Sequence, residues 1–191
     1  NSVNEGMVMG ASGGRLIRTS NSTSTYLFPV GSNSGTARFR PVEITPSTSG
    51  NDTFAVQFIN SDPNIAAYDT ADKQTGLQGI NSKWYHKINR IAGTDDAKIA
   101  IYFDNVNDGG FGAMAEWKPD VTYVNSNPAF SWMSLLPVNT NNIGSPALSS
   151  ISKNLYSGDY NTENFALSTI LSFDAPVAVF STADTTICIG E

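Results

Sequence analysis

The chain has 191 residues, of which 40% are hydrophobic and only 15% charged, with a formal net charge of −6 and a pI of about 4.6. That hydrophobic fraction excludes global disorder and suits one domain of sandwich size, or one domain with fragments of its neighbours. The 11 lysines and arginines are scattered, which argues against nucleic acid and anionic membrane surfaces as partners, and no apolar run approaches the roughly 18 residues needed to insert into a bilayer.

Along the chain, residues 1–20 come first as short, Gly-punctuated strand candidates, Gly6-Met7-Val8-Met9-Gly10 and Gly13-Gly14-Arg15-Leu16-Ile17-Arg18. They read as the end of a preceding β-rich region or as N-terminal strands. No basic segment followed by an apolar one opens the chain; if the protein is exported, its signal is expected upstream of residue 1. From residue 21 to 180 the dominant signal is a two-residue period. Tyr26, Phe28 and Val30 share a face, then Phe54, Val56 and Phe58, then Trp84, His86 and Ile88. Ile99, Ile101 and Phe103 continue it, and Phe165, Leu167, Thr169 and Leu171 close it, with Val177 and Val179 beyond Pro176. Alternation buries one side of each strand and wets the other. The pattern predicts an all-β, antiparallel β-sandwich, jelly-roll-like or Ig-like, of about eight to ten strands with little helix.

Breakers separate the strands. Gly31 to Gly35, Ala92 to Asp96 and Asp104 to Gly110 are expected to be connecting turns, the last two of them hairpins. The apolar phase flips at Arg40-Pro41, where a bulge or an edge is expected because proline cannot donate to a ladder. Gly31 is expected to leave its strand with positive φ. Residues 60–79 and 139–162 read as long, polar, irregular stretches. Residues 181–191 read as a linker and the first strand of a following domain.

Candidate chemistry is sparse. His86 is the sole histidine and alternates with Trp84 and Ile88, so it reads as a packed strand residue rather than a catalytic base. No nucleophile elbow, phosphate loop or dinucleotide fingerprint is present, and one His with one Cys argues against zinc or copper. Glu43, Asp52, Glu116 and Asp120 could supply a carboxylate pair, but no strand motif sets two of them on one face. An enzyme is not expected. Asp104, Asn105, Asn107 and Asp108 form the best calcium candidate, because hard cations want several oxygens on a flexible turn. A turn alone also explains those residues, and no other cofactor is expected. Trp117, Tyr123, Phe130 and Trp132 lie in one stretch; exposed, they would stack a sugar ring or anchor a protein, and buried, they would fill a core. Cys188, the only cysteine, is either a buried apolar residue or half of a disulfide to a segment absent from this chain.

Several motifs carry a family resemblance. Tyr26-Leu27-Phe28-Pro29-Val30-Gly31 followed by Arg38-Phe39-Arg40-Pro41-Val42-Glu43-Ile44 resembles the FPVG…YRPV signature of very large modular surface proteins of Bacteroidetes-type bacteria. The upstream strand ending Arg15-Leu16-Ile17-Arg18, the Ser82 to Ile88 strand and the Asn164 to Ser168 strand resemble further parts of the same module. Trp84-Tyr85 reverses the usual aromatic order, and Phe39 stands where a tyrosine is usual. The resemblance covers roughly residues 6–172 and includes no catalytic motif. It implies a structural or adhesive module of a secreted or surface-anchored protein, similar to type IX secretion cargo such as gliding adhesins. Its partners would be neighbouring domains of the same chain and surface glycans or proteins. A carbohydrate-binding module is the alternative, and a glycan-active enzyme a distant third. The resemblance also implies a following Ig-like or PKD-type domain in which Cys188 finds its disulfide partner. Asp69-Thr70-Ala71 and Asp184-Thr185-Thr186 match the O-glycosylation pattern of these bacteria, making Thr70 and Thr185 candidate glycan acceptors.

Overall fold

The computed structural model describes residues 7–9, 14–119, 130–141, 148–157 and 164–170. In chain order the strands are β1 (Val8–Met9), β2 (Leu16–Ser20), β3 (Tyr26–Phe28), β4 (Val30–Ser32), β5 (Arg38–Phe39), β6 (Val42–Pro46), β7 (Asp52–Ile59), β8 (Leu77–Ile80), β9 (Tyr85–Ala92), β10 (Ala97–Phe103), β11 (Ala113–Pro119), β12 (Phe130–Ser134), β13 (Asn139–Asn141), β14 (Ser149–Tyr156) and β15 (Asn164–Ile170). A 3-10 turn, Pro63–Ala66, is capped by Asp62, whose carboxylate accepts the Asn64 N–H. No helix among the described residues is long and apolar enough to cross a membrane.

The expected sandwich is present. One sheet runs β13-β14-β10-β6-β3; the facing one runs β12-β11-β15-β9-β7-β2, with β8 on β15. A small sheet, β1-β4-β5, contains a parallel pair, β1 with β4. The described segments number fifteen because several are only two or three residues long. Between the large sheets lie Ile44, Ile99, Ile101, Phe103 and Ile151 from one side and Phe54, Val56, Trp84, Ile88 and Leu167 from the other, all nearly or fully buried. These are largely the positions the two-residue period selects, because a strand facing a partner sheet buries alternate side chains.

Four local expectations change. Arg40-Pro41 is neither bulge nor edge; there the chain leaves β5 in the small sheet and enters β6 in a large one. Pro29 does the same between β3 and β4. A residue without an N–H sits well where no ladder claims that donor. Gly31 stays within β4 and the positive φ falls on Gly35 (66°). Gly31 is needed for close approach, since a Cβ there would lie 2.4 Å from the Arg38 carbonyl oxygen. Residues 92–96 and 104–110 are arches rather than hairpins, carrying the chain from β9 across to β10 in the other sheet and then back to β11.

The described parts of the two long polar stretches also hold regular structure. Residues 60–79 hold the 3-10 turn and the start of β8, and residues 139–162 contain β13 and β14, the latter paired along β10. The alternation in β14 is too thin to read: Ile151 and Tyr156 are its deeply buried apolar side chains, with Ser149 and Ser152 buried beside them. β2 pairs with β7, Leu16 opposite Val56, so the Arg15–Arg18 region is an N-terminal strand of this sandwich.

Candidate functional site

Among the described residues, two places concentrate polar or aromatic chemistry. The first lies where β10 ends, and it is held by the sheet-crossing Arg40. That guanidinium grips Asp108 through Nε to Oδ2 (2.5 Å) and Nη2 to Oδ1 (2.9 Å). The side chains are 4% and 0% exposed, so this is a buried bidentate ion pair linking residues 68 apart. Arg38 Nε stands 3.7 Å from the same carboxylate and its Nη1 donates to Asn60 Oδ1 (2.5 Å). Lys83 Nζ donates to the Asn107 carbonyl (2.9 Å), closing the arch from the other side. A polar cleft of about 350 Å³ opens here, lined by Thr36, Ala37, Arg38, Arg40, Asp104 and Asn107.

The four calcium candidates therefore sit on one arch. Asp104 accepts the N–H groups of Val106 (2.9 Å) and Asn107 (3.1 Å) and the Asn107 side-chain amide (2.6 Å). That amide is the main reason its carboxyl titrates below the ordinary value, with the backbone bonds adding to it and partial burial opposing. Asp108 faces Arg40 and also accepts the Asp104 N–H (3.0 Å). Asn105 Oδ1 is buried without a hydrogen-bond partner. A cation bound by Asp108 would have to displace or share with a buried guanidinium. Among the described residues no three His, Cys, Asp or Glu side chains gather as a metal site.

His86 lies just inside this end, fully buried between Phe58 and Trp84 (ring centroids 5.3 and 5.4 Å). Its Nε2 is 2.8 Å from the Arg40 carbonyl oxygen. A carbonyl only accepts, so Nε2 carries the proton and Nδ1, which has no partner, is the bare nitrogen. Burial drives its pKa down to about 4. The folded pKa is depressed below the unfolded value, so the unfolded state binds the extra proton first. Stability contributed by neutral His86 is intact above about pH 6.5 and is lost as pH falls toward 4, by about 3 kcal/mol in all. Urea titrations from pH 7.5 to 4 should show that loss relative to His86→Gln; parallel profiles for the two proteins would contradict it.

The carboxylate candidates are dispersed. Glu116 is buried against the inter-sheet core, accepting the Tyr156 hydroxyl and pairing with Lys118 Nζ (3.0 Å). Glu43 accepts the Tyr102 hydroxyl (2.9 Å), and burial, with this bond and the Glu43 charge, pushes that phenol up to about 12. Asp52 opens β7 at the far end of the molecule from the Asp108 arch, beside the start of β10. Asp120 lies outside the described residues.

The second place is the outer face of the larger sheet. Trp117 and Trp132 are cross-strand partners on β11 and β12, in edge contact at 5.6 Å. Trp132 is fully buried, the packed one of its two readings, although it lies on the outer face of the sheet rather than between the sheets. The 60–79 segment covers it: Trp132 N–H donates to the Asp72 carbonyl (2.8 Å), Gln74 N–H to the Trp132 carbonyl (2.9 Å), and its indole N–H to the Tyr68 carbonyl (3.4 Å). Trp117 is half-buried and stacks nearly parallel with Phe130 (6.5 Å, 18°), flanked by Tyr68 (5.8 Å). Sequence reasoning missed Tyr68, which carries no periodic signal and arrives only through the overlying segment. Thr70 lies on that segment, part-buried, with its N–H donating to Asn64 Oδ1 (2.8 Å) and its hydroxyl 3.0 Å from Asn64 Nδ2. Tyr123, Thr185 and Cys188 lie outside the described residues.

No family model, curated protein or solved structure that was compared with the chain matches it.

Proposed function

We propose that this chain is a non-catalytic structural and adhesive module of a large secreted or surface-anchored bacterial protein, of the kind its signature resembles among type IX secretion cargo. The observation that carries the reading is where its reactive side chains point. The one histidine donates to a backbone carbonyl inside the core, and Asp108 is clamped by a buried arginine. These are bonds that hold two sheets and a crossover in register, and a catalytic base needs its lone pair directed at a substrate. The signature residues Phe28, Pro29, Arg40 and Pro41 are the sheet crossings themselves or pack against them, so the motif is legible as architecture. In this reading the module works outside the cell, spacing and presenting its neighbours in the chain. Its test is replacement: an unrelated β-sandwich of equal size, exchanged for residues 21–180 in the parent protein, should keep the parent displayed on the cell surface but weaken attachment of the cells. Lost display would sink the spacer role, and unchanged attachment the adhesive one.

A second reading, carbohydrate binding, rests on the half-exposed Trp117–Phe130 stack, a flat aromatic surface of the type a sugar ring covers. Glycan-array binding that disappears in Trp117→Ala, with the melting curve retained, would establish it. A blank array with folded protein would remove it.

A further inference from the structure

The polar cleft of about 350 Å³ beside the Arg40–Asp108 pair has two walls, each tied down by other parts of the chain. One is the β4–β5 turn, where Asn60 Nδ2 donates to the Ser34 (2.7 Å) and Thr36 (2.8 Å) carbonyls. The other is the 104–110 arch, which Lys83 Nζ holds through the Asn107 carbonyl (2.9 Å). Two guanidinium groups complete the lining. Arg40 is engaged by Asp108 and by the Phe39 carbonyl, which its Nη1 reaches at 2.7 Å. Arg38 commits Nη1 to Asn60 Oδ1 and only approaches Asp108 with Nε (3.7 Å). Its Nη2 makes no hydrogen bond among the described residues, and neither does the exposed Thr36 hydroxyl. On the arch, Asp104 Oδ1 accepts two backbone N–H groups and Oδ2 one side-chain amide. A carboxylate oxygen can accept about two hydrogen bonds, so Oδ2 keeps one position open.

The charges around the cleft balance, Arg38 and Arg40 against Asp104 and Asp108. An entering cation would face two guanidinium groups, and an anion would come up against Asp104. A neutral ligand meets neither cost, and a hydroxyl can both donate and accept. The volume lies at the small end of ligand cavities, which run from about 300 to 1,000 Å³, and leaves room for one sugar ring. We propose that this cleft binds the hydroxyl groups of a neutral sugar ring. One hydroxyl accepts from Arg38 Nη2, another donates to Asp104 Oδ2, and the Thr36 hydroxyl adds a bond from the β4–β5 turn. Among the described residues no aromatic ring lines the cleft, so recognition rests on hydrogen bonds. Their geometry is set before binding by Asn60, Lys83 and the buried ion pair, which lowers the ordering cost. The site is separate from the Trp117–Phe130 stack on the outer face of the larger sheet and does not depend on it. It gives the adhesive part of the proposed function a grip of its own.

Amide and side-chain NMR of the whole chain, titrated with glucose, galactose and mannose, tests the cleft. The expected result is saturable shifts at Thr36, the Arg38 Nε–H, Asn107 and Gly109 with at least one of the three. Arg38→Gln should weaken that binding about tenfold or more, because it removes a charge-assisted donor. Unchanged affinity in folded Arg38→Gln would overturn the proposal, as would no shift at the cleft with any of the sugars. Shifts confined to the Trp117 indole N–H would overturn it too, while supporting sugar binding at the sheet face. A response to glucuronate or inorganic sulfate with none to the neutral sugars would make the cleft an anion site and equally overturn it. Should Arg38→Gln fail to fold, Thr36→Val at the exposed rim replaces it, and the same loss or its absence decides.

Discussion

Asp108→Asn is expected to cost the fold about 3–5 kcal/mol, because it leaves the Arg40 guanidinium charged and buried with no counter-charge. The pair is nearly solvent-free, so water cannot take over the lost interaction. The damage should extend beyond one bond. Asp108 also accepts the Asp104 N–H, and Arg40 supplies the carbonyl that receives the His86 proton. The crossover, the arch and the core histidine therefore respond together. Urea unfolding at pH 7.5 reads the effect as a lower midpoint at constant slope. The double variant Arg40→Met/Asp108→Leu should lose much less than the single one, since removing both charges abolishes the unpaired ion. Equal losses in the two proteins would mean that shape, rather than charge, holds this end of the sandwich.

Trp132→Ala is expected to cost about 3–5 kcal/mol through the cavity left by a fully buried indole. The loss should be felt above all by the 60–79 segment, which the indole ring supports from below and the Trp132 backbone holds at its edge. Limited proteolysis should then cut within that segment while Trp117→Ala resists. The comparison also bears on function. Lost glycan binding in Trp132→Ala would report lost structure, whereas Trp117, half-buried at the rim of the cluster, can report on a ligand. A Trp132→Ala protein as stable as the parent, with its 60–79 segment uncut, would show that the cover does not depend on that ring.

Much of the architecture is legible in the amino-acid sequence. The alternation through Phe54, Val56 and Phe58, through His86 and Ile88, and through Ile99, Ile101 and Phe103 marks core strands, because each strand buries one side against a facing sheet. His86 was legible as a packed residue from its place in that series. Its partner was not, because the Arg40 carbonyl lies 46 residues earlier and on a chain segment that is crossing between sheets. β14 was missed for a different reason. Serines fill two of its buried positions, so the two-residue signal fades although the ladder to β10 is long.

The amino-acid sequence by itself determined that this is an all-β sandwich, because side-chain alternation is a local property. Only the tertiary structure decided that residues 92–96 and 104–110 arch between sheets, that Arg40 clamps Asp108, and that Trp132 lies beneath a cover while Trp117 reaches its rim. Each depends on which distant segments become neighbours when two sheets pack face to face. A turn sequence reads alike whether its strands pair side by side or stand opposite one another, so no local pattern carries that information.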